Sequence, residues 1–307
     1  MTIRLAIAGL GKIARDQHLA AIAANADFVL AATVDPIAAP IDGVPHFASL
    51  DALLASDVQV EAVAVCTPPQ QRYAVAVQAL EAGKHVMVEK PPCATVAQAE
   101  ALAALATEHG VTLYTAWHSR HAAGVEAARA WLADKALQSV HIVWKEDVRV
   151  WHPGQAWIFA PGGFGVFDPA INALSIATEI LPRALRVESA VLDIPENAAM
   201  PIAGTVALKG ADGVPVSLEM DFLQTGQQSW DIVIETDADR LQLSLGGSVL
   251  VTPEGETTGP DAEYPALYAR FAQLVHGRES EVDLAPLELV EAALDCGERR
   301  MVAPFIE

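Results

Sequence analysis

Gly9-Leu10-Gly11-Lys12-Ile13-Ala14 follows a run of strand-forming residues, Ile3 to Ala8, and opens an Ala-rich stretch of helical period. The first glycine of such a turn permits a tight bend and the second lets the backbone approach a pyrophosphate. The small third residue lets helix and strand pack closely. An acidic residue, Asp35, ends the second apolar run 21 positions after Ala14, where a carboxylate that accepts hydrogen bonds from ribose hydroxyls belongs. The chemistry suited to this pattern is dinucleotide binding; a glycine turn without a ligand is the alternative. Asp35 would repel a 2′-phosphate and is followed by Pro36 rather than an arginine, so NAD is expected over NADP, with NADP use possible.

Cys66-Thr67-Pro68-Pro69 and Glu89-Lys90-Pro91-Pro92 follow the third and fourth apolar runs. Proline cannot extend a central strand. Both segments therefore turn at the carboxyl edge of the sheet, where open α/β folds bind ligands, although a plain proline turn explains the first equally well. Lys90 enters that crevice. If Val140 to Val150 is one strand, Glu146 shares a face with Val140, Ile142, Trp144 and Val148. A carboxylate there must be hydrogen-bonded, by backbone, by an arginine or by a polyhydroxylated ligand. Asp168 and Asn172, four residues apart, share a face of a helix that starts there. Asp168 is well placed as its N-cap, and capping alone would explain it. Trp117, Trp144, Trp151, Trp157 and Trp230 lie in segments expected to converge on a cleft, where indoles suit the C–H patches and hydroxyls of a sugar. For any single tryptophan core packing is the ordinary reading, and Trp131, inside a helix, reads as core. His118 and His152 are further candidates, but the scattered histidines have no metal-ligand spacing and no metal is expected.

These side chains need elements to position them. Up to about residue 119, short runs (Ile3 to Ala8, Phe28 to Val34, Ala62 to Cys66, His85 to Glu89, Leu113 to Trp117) alternate with helix-like stretches. That is the pattern of a parallel sheet covered on both faces. Thr95 and Gln98 fit a capping box ahead of a helix ending near Gly110. Beyond Arg120 the expected elements are a helix (Val125 to Asp134), the long strand Val140 to Val150, a loop rich in Trp, Gly and Pro, and a helix from Asp168 toward Leu181. Five alternating runs follow, Arg186 to Leu192, Thr205 to Leu208, Val216 to Leu223, Trp230 to Thr236 and Leu241 to Leu245, separated by turn signals as in an antiparallel sheet. Pro265 to His276 and Pro286 to Met301 read as closing helices. The expected class is α/β, with a doubly wound parallel Rossmann sheet in residues 1–119. An α+β domain with a largely antiparallel sheet, for substrate binding and oligomerisation, follows in residues 120–307. That sheet should present an apolar face, so a homodimer through it is expected.

Composition sets the outer limits. At about 150 residues per domain, 307 residues make two domains. Lys plus Arg total 19 against 39 Asp plus Glu, for a net charge of −20; such a field repels nucleic acid and anionic membrane surfaces. No apolar run reaches the roughly 18 residues of a membrane helix, and the start, Met1-Thr2-Ile3-Arg4, lacks the pattern of a secretory signal. Cys66, Cys93 and Cys296 are odd in number and without metal-like spacing, which fits reduced thiols in a cytoplasmic protein.

The glycine turn together with Glu89-Lys90-Pro91 resembles the Gfo/Idh/MocA superfamily of NAD(P)-dependent oxidoreductases. Lys12 to His18, Glu89 to Pro92, Trp117 to Arg120, Trp144 to Arg149, Trp151 to Gln155 and Gly165 to Pro169 are similar to its branch of bacterial D-galactose and L-arabinose 1-dehydrogenases. The resemblance implies oxidation of an aldopyranose at C1 to the aldonolactone, with hydride passing to nicotinamide. It implies cofactor contacts from Gly9, Gly11, Lys12, Ile13, Asp35, Cys66, Thr67, Pro68, Glu89, Lys90 and Trp117. Lys90 and Asp168 would be catalytic, while Glu146, His152 and Asn172 would face the sugar with them; Trp151 and Trp230, and His118 at the nicotinamide or the sugar, are added by their positions rather than by the resemblance. The wider superfamily usually has D-x-x-x-H, and Asn172 stands where that histidine would be. Asn cannot relay a proton, so the base must be sought in Asp168, Lys90 or a water between them. Other sugar or inositol dehydrogenases of the superfamily, and a non-catalytic sugar- or NAD-sensing regulator, are the alternatives.

Overall fold

The computed structural model describes residues 2–307; Met1, the first residue of the expected leaderless start, lies outside the described residues. In chain order the first elements are β1 (Ile3–Ala8), α1 (Leu19–Ala24), β2 (Phe28–Val34), β3 (His46–Phe47), α2 (Leu50–Leu54), β4 (Ala62–Val65), α3 (Pro69–Glu81), β5 (His85–Glu89), α4 (Val96–His109) and β6 (Leu113–Ala116). Next come α5 (Val125–Leu132), β7 (Leu137–Lys145), α6 (Val148–Trp151), α7 (Phe167–Ile180), β8 (Leu185–Pro195), β9 (Ala203–Gly210), β10 (Pro215–Asp221), β11 (Ser229–Thr236) and β12 (Arg240–Ser244). The chain closes with β13 (Val249–Thr252), β14 (Gly255–Thr258), α8 (Glu263–Gly277), α9 (Ala285–Cys296) and β15 (Glu298–Val302). They form two compact units. One runs to His118 and includes Glu263–Leu284; the other comprises Ser119–Ala262 and Ala285–Glu307.

The first unit is a six-stranded parallel sheet in the order β3-β2-β1-β4-β5-β6. Its central strands are buried on both faces, as parallel strands between helix layers must be. The Thr95 hydroxyl accepts the Gln98 N–H at 3.2 Å, while the Gln98 side chain returns to Ala94 N–H at 3.2 Å. Gly110, at φ +63°, ends α4 in the left-handed conformation that a residue without Cβ adopts most easily.

A linear division near residue 119 leaves out one segment. Residues 263–284 return to the first unit, because the aromatic face of α8 covers sheet that α1 leaves open. Phe271 stacks on Phe28 (5.8 Å) and on Tyr114 (6.2 Å). The chain then lies along β6, where Thr115 N–H donates to the Glu281 carbonyl and Glu281 N–H to the Leu113 carbonyl, so the sheet edge is paired. Helical periodicity shows that 263–277 has an apolar face but not which sheet that face covers.

The second unit carries a nine-stranded sheet ordered β14-β13-β12-β11-β7-β10-β9-β8-β15. It is mostly antiparallel, with parallel pairs at β7/β10 and β8/β15. Its inward positions, among them Val140, Ile142, Trp144, Leu218 and Ile232, are buried, and α7 packs against β7, β11, α5 and α9. The outward face is mixed. Val143 and Val233 are partly buried there, between a His141–Ser217 hydrogen bond and a Lys145–Glu219 ion pair, both 2.8 Å.

Several expected limits shift. The strand expected over 140–150 stops at Lys145, because the Asp147 carboxylate accepts the Arg149 N–H at 3.0 Å and caps a helical turn over Val148–Trp151. The last helix ends at Cys296 rather than Met301, and the chain resumes as β15. Trp131 is not core: it lies partly exposed on α5, its indole N–H donating to Glu254 and its ring carrying the Lys135 ammonium.

Candidate active site

In the first unit the glycine turn is built by two constraints. Gly9 sits at φ +93°, and a Cβ there would lie 2.6 Å from Thr67 N and 2.8 Å from the Cys66 carbonyl carbon. Gly9 is therefore glycine both for its backbone angle and because the Cys66-Thr67 turn presses against it. Gly11 is different: its φ is ordinary and a Cβ would touch no atom of the chain. No contact within the chain calls for glycine at 11, as expected where the chain must approach a diphosphate. Ile13, a large aliphatic side chain, is 38% exposed beside this turn, and Lys12 forms an ion pair with Asp16 on the exposed surface.

Asp35 anchors the next turn. Its carboxylate accepts the N–H groups of Leu10 (2.8 Å), Ile37 (2.9 Å) and Ala38 (2.8 Å). Partial burial pushes its pKa up, but the three donors and nearby His46 outweigh this and hold it below the ordinary value. A carboxylate has about four acceptor sites, so one remains for a ribose hydroxyl. Thr67 Oγ1 is buried without a hydrogen-bond partner among the described residues, a group a bound ligand would satisfy. Pro68 precedes the first residue of α3. The glycines, Ile13, Asp35 and Thr67 together fit a dinucleotide.

Lys90 is half-buried at the end of β5, its backbone N–H donating to Glu89 Oε2 at 2.8 Å. Glu89, expected among the cofactor contacts, turns its carboxylate inward instead. It is 3% exposed and accepts from His18 Nε2 (3.0 Å) and the Tyr264 hydroxyl (2.8 Å). Cys66, beside the glycine turn, lies 3.6 Å from His18 Nε2. The Trp117 indole is buried and donates to the Asp283 carbonyl at 3.0 Å. His118 pairs with Glu263 and stacks on Tyr264 at 5.3 Å between ring centres.

In the second unit Glu146, just past β7, is buried. Its oxygens accept from His152 Nε2 (2.9 Å) and Trp230 Nε1 (2.8 Å), so its partners are neither backbone nor arginine. Two of its acceptor sites stay available for hydroxyl donors. Trp151, 45% exposed, meets Trp230 edge-to-face at 4.9 Å. His152 also lines a cavity of about 240 Å³ with Gln155, Phe159, Asn197, Phe305 and Glu307.

Asp168 is buried on α7, one turn before Asn172. It is not the N-cap. Val166 holds that position, because the approaching loop is pinned through Gly165 N–H to the Ile158 carbonyl and Val166 N–H to the Pro201 carbonyl. Phe164 in that loop has φ +75°, a strained angle for a bulky residue. Such strain persists only where packing enforces it, here three residues before α7 begins. Among the described residues no three His, Cys, Asp or Glu side chains cluster as metal ligands, and no helix is long and apolar enough to cross a membrane.

The GFO_IDH_MocA family model, described as an oxidoreductase family with an NAD-binding Rossmann fold, matches residues 3–117. Over 306 residues, 99% of each chain, the sequence is 45% identical to galactose 1-dehydrogenase from Pseudomonas fluorescens. The crystal structure of a D-galactose-1-dehydrogenase protein from Rhizobium etli superposes with a TM-score of 0.94 at 50% identity, covering 99% of this chain and 98% of that one. The 3-ketoreductase KijD10 from Actinomadura kijaniata, in complex with NADP, shares the fold at a TM-score of 0.84 and 20% identity, over 98% of this chain and all of that one.

Proposed function

The chain belongs to the GFO_IDH_MocA oxidoreductase family, and from that premise we propose that it oxidises an aldopyranose, D-galactose or L-arabinose, at C1 to the aldonolactone. The observation that carries the sugar reading is the Glu146 corner. There a buried carboxylate, held by His152 and Trp230 and flanked by the exposed face of Trp151, offers acceptors and a flat apolar surface to a ring of hydroxyls. The full-length likeness to a galactose 1-dehydrogenase supports it.

NAD, when bound, supplies the acceptor for the C1 hydride. Gly9, Gly11, Ile13, Asp35 and Thr67 would hold it, with NAD preferred because Asp35 disfavours a 2′-phosphate. Lys90 donates a hydrogen bond to the C1 oxygen and polarises it, and Asp168 accepts the C1 hydroxyl proton. Asn172, Glu146 and His152 hold ring hydroxyls. D-galactose and L-arabinose share stereochemistry from C1 to C4, so both are turned over. The protein works as a homodimer through the nine-stranded sheet, which a monomeric mass at micromolar concentration would contradict.

The test is an initial-rate survey of NAD and NADP reduction across aldoses. D-galactose and L-arabinose with NAD should be fastest; no reduction with any aldose overturns the reading. Asp35→Ala should lower the preference for NAD, and a gain in that preference would overturn its ribose role.

A further inference from the structure

We propose that His18 and Glu89 form a buried positioning device for Lys90, an ion pair that fixes the lysine's backbone without touching substrate. The proposal rests on Lys90 as the residue that polarises the reacting oxygen.

The Lys90 segment is gripped from two sides. Glu89 divides its carboxylate: Oε1 accepts from His18 Nε2 (3.0 Å) and the Tyr264 hydroxyl (2.8 Å), while Oε2 accepts the Lys90 backbone N–H (2.8 Å). From the other side Arg72 on α3 donates through Nη1 to the Glu89 carbonyl (2.7 Å) and to the Pro91 carbonyl, and through Nη2 to the Thr67 carbonyl. His18 is itself held, its Nδ1 meeting the Tyr268 hydroxyl at 2.8 Å and Cys66 Sγ lying 3.6–3.7 Å from its ring nitrogens. His118, paired with Glu263, stacks on Tyr264. The residues around Lys90 thus come from the helical turn after the glycines, the ends of β4 and β5, α3 and α8.

Burial by itself disfavours both charges of the pair. Around His18, the groups Cys66, Tyr268 and Glu89 outweigh burial and raise its pKa well above the ordinary 6.5. Around Glu89, the groups His18, His118 and Arg72 outweigh it and lower the carboxyl to about 2. Both shifts favour the charged forms of the pair. A buried ion pair is poor evidence of stabilisation, since apolar residues of similar volume often serve as well. What apolar residues cannot supply is the acceptor for Lys90 N–H. A displacement of about 1 Å at a catalytic group can cost about a hundredfold in rate.

The test uses Glu89→Gln, His18→Gln and the double variant in the full chain, with Tyr264→Phe as a milder lesion that keeps both charges. The readouts are kcat and KM, the Kd for NAD, Tm, and the ¹³C resonance of reductively methylated Lys90, assigned with Lys90→Arg. Glu89→Gln should lower kcat by about 10- to 100-fold and move the Lys90 resonance, with the NAD Kd within about twofold. Tyr264→Phe should shift both readouts less, in the same direction. The double variant should recover Tm without recovering kcat, because removing both charges relieves the unpaired one. Unchanged kcat and resonance in Glu89→Gln, or recovery of kcat along with Tm in the double variant, would overturn the proposal. If the wild type reduces NAD with no aldose, the sugar reading fails, and the Lys90 resonance alone decides the positioning role.

Discussion

Glu89–His18–Tyr264 and Glu146–His152–Trp230 are the same kit placed in two different settings. Each is a carboxylate whose first oxygen meets a histidine Nε2, with an aromatic O–H or N–H as a further donor. In the first unit the histidine and glutamate side chains are 1% and 3% exposed, and a third donor, Lys90 N–H, is also present. In the second they are 18% and 6% exposed, with half of the acceptor sites open beside an exposed tryptophan. Chemistry alone does not mark a ligand site; spare hydrogen-bonding capacity next to solvent does. Glu89 holds the protein, and Glu146 is available to hold something else.

The strongest way to break this contrast is at the residues proposed to do the chemistry. General acid–base groups contribute about 10²- to 10⁴-fold, so Lys90→Met and Asp168→Asn should each lower kcat by at least that order while Tm stays near wild type. Near-normal kcat in both would remove the reaction from this part of the chain. Next comes the contrast itself. Glu89→Leu strands a buried charge on His18 and should cost about 3–5 kcal/mol of stability, read as a lower denaturant midpoint. Glu146→Leu should cost nearer 1 kcal/mol and instead raise the sugar KM by tenfold or more. If the two variants swap these signatures, the assignment of structural and ligand-facing carboxylates is inverted.

Much of this was legible in the sequence, and the failures have physical causes. β1, β2 and β5 run over the expected residues, because β-branched runs between glycine or proline turns admit little else. The Asp147 cap was missed because Val148 and Val150 carry on the strand's alternation while the backbone has already turned helical. Asp168 lost its capping role to a loop pinned by Pro201, a contact far along the chain. The role of His18 cannot be read from the sequence because its partners Glu89 and Tyr268 lie 71 and 250 positions away. One local signal existed: His18 falls at helical spacing from Ala14, Ala21 and Ile22, all buried, and a polar residue on an apolar stripe needs a buried partner.

Acidity sharpens the comparison further. Glu89 is lowered from 4.5 to about 2, so its contribution to stability stands above 4.5 and is lost as pH falls toward 2. His18 is raised above 6.5, so its contribution stands below 6.5 and is lost as pH rises through the raised value. The Tm difference between wild type and His18→Gln/Glu89→Gln should therefore be most favourable to wild type between these limits and shrink on both sides. A difference that does not vary with pH would mean the pair is not ionised.

The smallest effect separates the two aromatic donors. Trp230→Phe keeps a ring against Trp151 but removes the N–H that Glu146 Oε2 accepts at 2.8 Å. A hydrogen bond of this kind is worth about 0.5–1.5 kcal/mol, or roughly two- to tenfold in an equilibrium constant. Because two acceptor sites of Glu146 stay open beside the exposed Trp151, the loss should appear in the KM for sugar, with Tm and kcat close to wild type. Tyr264→Phe removes the matching donor from Glu89, where no water replaces it, so its loss should appear in Tm and kcat and not in the sugar KM. Equal effects of the two variants on KM would show that open acceptor sites do not separate the two carboxylates.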